Sequence, residues 1–379
     1  MTKRLRVDMI ILEYHPIVGG AQRQLAMVAP LLQARGVDVR ILTRRYDDLP
    51  PFEVIEGIPV HRLPAPGPKL VAASAFTLAA YGAIRRSPPD VIHAYSLFSP
   101  LSTAVWAKRR LGVPVVAKVL RGGLLGDIAR MRQKPLGTRR LASYRRQVDG
   151  FITISQEIDA ELAGIGVPAD RRFFIPNGVD LARFRPLEAA AKAAKRRELG
   201  LPDGLLALFT GRLAAEKRVD QLVALWPSVR QQFPTAVLLL LGDGPEASAL
   251  KAQAGAGVLF GGRVDDVASY LQTADLFVLP SATEGLSNSL LEAMAAGVAC
   301  VVTAVGGAPD VVAHGRSGWL IPPDSTTELE TAVRHLLGDE AARATLGQQA
   351  RQKMTAEFGL ESVADTLRAL YDSLLRPEW

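Results

Sequence analysis

Two carboxylates, Glu284 and Glu292, bracket seven residues without another charge in EGLSNSLLEAMAAG, residues 284–297. Helical rise over that spacing would part them by about 12 Å, too wide for the paired carboxylates of a retaining glycosidase. Glu292 stands among Leu290, Leu291, Ala293 and Met294, the pattern of a buried helix. A buried carboxylate requires a partner, either a basic side chain or a ligand hydroxyl. The uncharged residues between the two acids have chemistry of their own. Ser287 or Asn288 suits an N-cap and Gly297 a helix end. The free N–H groups that follow Gly285, from Leu286 to Ser289, would then form an anion site without any charged side chain.

Cations that could share such a site occur in LFTGRLAAEKRVDQLV. Gly211 permits a sharp turn after a strand, Arg212 offers a planar fork for phosphate oxygens and Lys217 a mobile point charge, a pair able to neutralise a diphosphate. Turns at Gly242-Asp243-Gly244-Pro245 and at Gly261-Gly262-Arg263, running on into Val264, would bring backbone close to a ligand. In YHPIVGGAQRQ, Gly19 and Gly20 make a candidate phosphate or sugar loop. The loop fits neither G-x-G-x-x-G nor G-x-x-x-x-G-K-[ST], which argues against dinucleotide binding and P-loop chemistry. His93, in DVIHAYSLFSP, is expected at a strand end facing the ligand, and His15 is a second histidine of the same kind.

These residues need elements to hold them. RVDMIILEY, VDVRILT, VIHAYS, VPVVAKVL and GFITIS read as strands buried on both faces, separated by helical segments such as AQRQLAMVAPLLQARG. LLALFTG, AVLLLLGDG, GVLFGG, LFVLPS, ACVVTA and GWLIPP repeat the rhythm, which is that of parallel sheets built from βαβ units. Two doubly wound α/β domains are expected, with ligand bound beyond the carboxyl ends of their strands in a cleft between them. The expected boundaries are 1–180, 181–355 and a C-terminal helix, 356–379, packing back on the first domain.

Composition sets outer limits. At 379 residues the chain has room for two cores, and 48% hydrophobic with 22% charged residues excludes a disordered chain. One cysteine and five scattered histidines supply neither a disulfide nor a metal cluster, and a reducing cytoplasm is expected. Basic residues precede an apolar run in MTKRLRVDMIILEY, but Asp8, Glu13 and the absence of a small-residue cleavage site favour a first strand over a signal peptide. The uncharged run Leu70–Ile84 is too short and too polar to span a bilayer and reads as a core helix. A net charge of +7 favours an anionic partner. From Lys118 to Arg146 the cations Lys118, Arg121, Arg130, Arg132, Lys134, Arg139, Arg140, Arg145 and Arg146 face only Asp127 and Asp149. Interleaved with Leu120, Leu124, Leu125, Ile128 and Met131, the run suits a solvated face, an acidic acceptor or anionic lipid at the cytoplasmic face of the inner membrane. Few aromatic residues are interleaved for base stacking, so no nucleic acid is expected.

Over nearly its whole length the chain resembles glycosyltransferase family 4, the retaining GT-B glycosyltransferases. GGAQRQLAMVAPLLQARGVDVRILT, IPNGVDLARFRP, TGRLAAEKRVDQLV, LLLLGDGP, ADLFVLPSATEGLSNSLLEAMAAGVACVVTAVGG and GRSGWLIPPDS follow one another in the family's order, the Glu-x7-Glu pair included. The resemblance implies a UDP-, GDP- or ADP-sugar donor held by the second domain, a glycan or lipid-linked acceptor bound by the first, and neither metal nor other cofactor. It places Arg212 and Lys217 on the diphosphate, Glu292 on the ribose, Glu284 near the transferred sugar, and the backbone of Leu286 and Ser287 on the donor. Gly19 and Gly20 match the loop near diphosphate and acceptor, and His93 falls where many members have a sugar-contacting histidine. Tyr95 replaces a second histidine, Asp310 a more usual glutamate and Gln22 a frequent Glu. A sugar-nucleotide epimerase of the same fold, or a non-catalytic nucleotide-sugar or membrane-binding subunit, would share most of these features.

Overall fold

The computed structural model describes residues 4–17, 19–46 and 48–375. The expected N-terminal residues 1–3 and the last four of the expected C-terminal segment, 376–379, lie outside them. Two compact units divide the chain, one of residues 1–177 with 360–379, the other of residues 178–359.

The first unit is built on eight strands, β1 (Leu5–Ile10), β2 (Val37–Arg44), β3 (Phe52–Ile55), β4 (Ile58–Leu63), β5 (Val91–Tyr95), β6 (Val115–Lys118), β7 (Gly150–Thr153) and β8 (Arg172–Phe174). They lie in the order β3-β4-β2-β1-β5-β6-β7-β8. All neighbours are parallel except β3 and β4, which pair antiparallel. Their hairpin turns at Glu56 and Gly57, both with positive φ (49° and 80°), the turn whose twist matches that of its strands. The sequence reading missed this hairpin and β8, because the edge strands β3 and β8 are short and β4 alternates buried with half-buried residues, so none has the long apolar run that betrays a strand buried on both faces. Helix Gly20–Ala34 and helix Leu360–Ser373 cover one face of the sheet. Leu25, Val28 and Leu32 of the former meet Val363, Leu367 and Tyr371 of the latter over Val7, Met9 and Ile41. Arg35 bonds both Glu361 and Asp365 at 2.6 Å and so pins the C-terminal helix from its polar side. The expected core helix at Leu70–Ile84 is helix Lys69–Arg86, and it is only half in the core. Phe76, Ala80 and Ile84 are buried, whereas Leu70, Val71 and Leu78 are exposed on its other face.

The second unit carries β9 (Leu206–Thr210), β10 (Val237–Leu241), β11 (Val258–Gly262), β12 (Leu276–Leu279), β13 (Ala299–Thr303) and β14 (Trp319–Ile321). These six are the six expected runs, all parallel, in the order β11-β10-β9-β12-β13-β14. β9, β12 and β13 are buried at every position, which is why they read as unbroken apolar runs rather than alternating ones. In each sheet the strand order reverses once, between β9 and β12 and between β1 and β5. Loops leaving the carboxyl ends of strands at such a reversal flank a crevice that no crossover helix fills.

Candidate functional site

The two loops at the reversal of the second sheet hold most of the residues singled out above. After β9 the chain runs through Gly211 and Arg212 into a short 3-10 turn, Ala215–Lys217. After β12 it runs from Pro280 to Ser287, where helix Asn288–Ala295 begins. The Ala282 N–H donates to the Glu216 carbonyl at 2.8 Å and ties one loop to the other. The side chains complete the tie. Lys217 Nζ forms an ion pair with Glu284 Oε1, and Ser281 Oγ donates to the same oxygen at 2.7 Å. The two charged side chains keep only 17% and 11% of their exposure. Sequence reasoning gave Lys217 and Glu284 separate tasks and overlooked Ser281. Its one available signal was a hydroxyl three residues before a loop carboxylate.

Arg212 is exposed, and its guanidinium makes no ion pair or hydrogen bond among the described residues. Ser287 is the N-cap, its hydroxyl accepting from the Leu290 N–H at 3.4 Å and lying 3.0 Å from the Ser289 hydroxyl. Every residue from Leu290 to Ala295 is buried, Glu292 among them at 3% exposure. A third loop closes on the backbone at Glu284 and Gly285. Gly307 N–H donates to the Gly285 carbonyl at 2.6 Å, and Gly306, with φ at 56°, would set any β-carbon 2.4 Å from the Glu284 carbonyl. Only a glycine allows that approach.

The loops after β9, β10 and β11 are likewise laced together. Gly211 N–H donates to the Leu241 carbonyl, Gly242 N–H to that of Gly262 and Leu213 N–H to that of Asp243, at 2.9, 2.7 and 3.0 Å. A β-carbon on Gly242 would lie 1.8 Å from the Gly211 carbonyl oxygen, so a neighbouring loop explains this glycine. Beside it opens a cavity of about 250 Å³ lined by Gly242, Asp243, Phe260 and the exposed Arg263. Val264 follows, half-buried.

In the first unit Gly19 is the N-cap of helix Gly20–Ala34, its carbonyl accepting from the Arg23 N–H at 3.0 Å. His15, half-buried, accepts from Arg62 through its carbonyl at 3.1 Å. The expectation for His93 is corrected. It is the third of five residues in β5, not the last, and it has no exposed surface. Nδ1 lies 2.7 Å from the Tyr371 hydroxyl of the C-terminal helix, and the ring stacks on Tyr95 at 4.6 Å. Burial first, and the charge of Lys118 second, lower its pKa to about 3. His93 is therefore a neutral core residue, with no face for a sugar. Lys118 is corrected as well. It ends β6 in the interior instead of joining a solvated basic face. Of the interleaved apolar residues, Ile128 and Met131 are buried, while Leu124 is 90% and Leu125 50% exposed. Around them Arg130, Arg132, Lys134 and Arg139 remain outside. Among the described residues no helix is long and apolar enough to cross a membrane.

Two family models match the chain, one described as glycosyl transferase 4-like domain over residues 19–178, the other as glycosyl transferases group 1 over residues 204–339. The D-inositol 3-phosphate glycosyltransferase of Acidothermus cellulolyticus is 31% identical over 389 residues, covering 90% of this chain and 84% of that protein. A glycogen synthase of Mycobacterium tuberculosis is 29% identical over 414 residues, covering 99% and 96%. Among solved structures, sucrose-phosphate synthase from Thermosynechococcus elongatus superposes with a TM-score of 0.82 at 24% identity, covering 98% of this chain and 99% of that one. With two Rossmann-like units, both domain models and a relative above 30% identity along most of its length, the chain belongs to glycosyltransferase family 4 and is a glycosyltransferase of the GT-B fold.

Proposed function

We propose that this glycosyltransferase moves a hexosyl group from a UDP-, GDP- or ADP-sugar to a hydroxyl of a glycan or lipid-linked acceptor, with retention at the anomeric carbon and without a metal. The observation that carries the reading is the joining of Lys217, Glu284, Ser281 and the Ser287-capped helix at one strand reversal, beside the unpaired guanidinium of Arg212. Arg212 and Lys217 supply positive charge to the departing diphosphate, the task a metal performs elsewhere. Helix N–H groups near Ser287 add donors that need no reorganisation as charge develops. Glu284, held by Lys217 and Ser281, is oriented toward a hydroxyl of the transferred sugar, and Glu292 toward the ribose. The cavity beside Gly242 gives the base a place, with Arg263 available to lie over its ring.

In the reaction the bond from C1 to the diphosphate oxygen breaks with its electron pair leaving on the phosphate. C1 becomes oxocarbenium-like, and the acceptor oxygen bonds to it on the face being vacated. The acceptor proton passes to the leaving phosphate oxygen, which makes a dedicated general base unnecessary. The loss of His93 from the site leaves this step unaffected.

Relatives named for glycogen and for inositol 3-phosphate support a polyhydroxylated acceptor. Leu124 and Leu125 within a basic surface favour one met at anionic lipid on the cytoplasmic face of the membrane. Incubating the protein with UDP-, GDP- and ADP-sugars, with and without lipid extract or glycan, should give acceptor-dependent nucleotide release that EDTA leaves unchanged. The anomeric coupling of the product should match that of the donor. An inverted product would refute retention, and release without any acceptor would favour an epimerase or hydrolase.

A further inference from the structure

At the carboxyl edge of the first unit's sheet, β6 ends on Lys118, paired in register with Tyr95 of β5. β5 is one of the two strands at which the order reverses. Lys118 is 5% exposed. Its ammonium donates to Asn177 Oδ1 at 3.2 Å, and no carboxylate lies within salt-bridge range of it among the described residues. An ammonium has three donors to place, and a buried cation is costly unless a negative charge meets it. The titratable groups around it offer none. His93 is held neutral by burial, and burial raises the pKa of the Tyr14, Tyr95 and Tyr371 phenols above their ordinary value. Burial also lowers the pKa of Lys118 itself, to about 8, so most of it is charged at neutral pH.

Two further observations lie at the same edge. Ser96, whose N–H donates to the Lys118 carbonyl at 3.0 Å, holds φ at 87°, a conformation uncommon for a residue with a side chain. Arg121, three residues beyond Lys118, is half-buried and makes no ion pair among the described residues. An interior lysine and a residue of positive φ thus meet beside a strand reversal. Arg121 has the Asp127 carboxylate, which also accepts from the Leu120 N–H at 3.1 Å, near enough to act on it, and Lys118 is the cation left without an anion.

We propose that Lys118 is the floor of an anion-binding subsite that takes a phosphate or similar dianionic group carried by the acceptor, close to the hydroxyl being glycosylated. The proposal rests on the reading that the first unit receives the acceptor, while the donor's diphosphate is met by Arg212 and Lys217 of the second. It narrows the acceptors to anionic ones, such as a sugar or polyol phosphate or a phosphate-bearing lipid headgroup.

Sulfate is a suitable probe, because its charge does not change across the working pH range. It is titrated calorimetrically, at fixed ionic strength, into the full-length R212A/K217A protein, whose donor-side cations no longer report. Lys118→Gln and Lys118→Met are then added to that background, with thermal unfolding as the check on folding. The expected result is sulfate uptake that either substitution weakens by about tenfold or more. Absence of uptake, or uptake that both substitutions leave intact, overturns the subsite. In the unsubstituted protein, sulfate should still bind when UDP or GDP saturates the donor site. Displacement of sulfate by nucleotide would assign the cation to the donor and overturn the acceptor role. Nucleotide release from donor sugars is measured separately, so failure of the sulfate test leaves the transferase reading standing on its own result.

Discussion

Replacing Lys217 with Ala tests whether one ion pair both builds the site and serves it. The pair lies between two regimes. Exposed ion pairs contribute about 1 kcal/mol or less, and breaking a fully buried one costs about 3–5 kcal/mol. With 17% and 11% of their side chains exposed, Lys217 and Glu284 lie nearer the second limit. Ser281 still donates to Glu284 at 2.7 Å in the variant and offsets part of the loss. K217A should therefore lower stability by about 2–3 kcal/mol. E284Q preserves shape and an acceptor for Ser281, and Lys217 can turn toward water, so a loss of about 1–2 kcal/mol is expected. In the double variant K217A/E284Q no uncompensated charge remains, and the combined loss should fall short of the sum by about 1–2 kcal/mol. Urea unfolding of the four proteins measures this coupling. Nucleotide release in the presence of donor and acceptor measures the other task, and K217A should lower kcat by about 10²–10³-fold. Losses that add to within about 0.5 kcal/mol would refute the structural coupling, and a kcat within a factor of about three of the unsubstituted enzyme would refute the role on the diphosphate.

Other perturbations should read out separate parts of the structure. Gly306→Ala forces a β-carbon against the Glu284 carbonyl, 2.4 Å away, at a φ of 56°. It should cost about 2 kcal/mol or more of stability and at least tenfold in activity, measured by unfolding and by turnover. Lys118 has its folded pKa lowered from 10.5 to about 8. The unfolded chain then holds more protons between those values, and stability should rise with pH across that window. Lys118→Met should exceed the unsubstituted protein at pH 7 by at most about 3 kcal/mol and lose that advantage above pH 10.5. His93 has its folded pKa lowered from 6.5 to about 3, so it contributes stability that is lost as pH falls through that interval. His93→Phe should flatten the acid limb of the unfolding profile, although Asp127, raised by burial to about 6, acts in the opposite sense there. Leu124→Asp with Leu125→Asp should abolish sedimentation with anionic liposomes at low salt and leave unfolding unchanged, whereas retained sedimentation would exclude that surface as a lipid face.

The second unit was the more legible of the two. Its strands are central and its site loops are short. Because the apolar runs locate the strand ends, the sequence also locates the loops that leave them, with Arg212, Lys217 and the helix that starts at Ser287. It did not show that Lys217 and Glu284 touch, since they are 67 positions apart and the contact follows from the β9–β12 neighbourhood. Gly242 was read as a turn for a ligand, whereas the Gly211 carbonyl already requires it. In the first unit the misreading of His93 was one of position along its strand. The strand Val91–Tyr95 matches VIHAYS to within one residue, but its histidine lies at the middle and not the end, and it meets a tyrosine 278 positions away that no local pattern announces. Lys118 was hidden by the company of its neighbours. A row of basic residues suggests a wetted face, and a strand ending in one of them passes for part of it.

The placement of the C-terminal helix has a consequence for biosynthesis. Residues 178–359 form an uninterrupted insert, whereas the first unit is sealed by Leu360, Val363, Leu367, Leu370 and Tyr371. A nascent chain exposes the β1 face of that first core until residues 360–373 have been made. The insert has all of its residues before that helix is made, and so it can close first, although its sequence follows that of the first unit's strands. Order of synthesis and order of completion are thus reversed between the two units, since helix Leu360–Ser373, made after the whole insert, finishes the sheet whose strands were made before it.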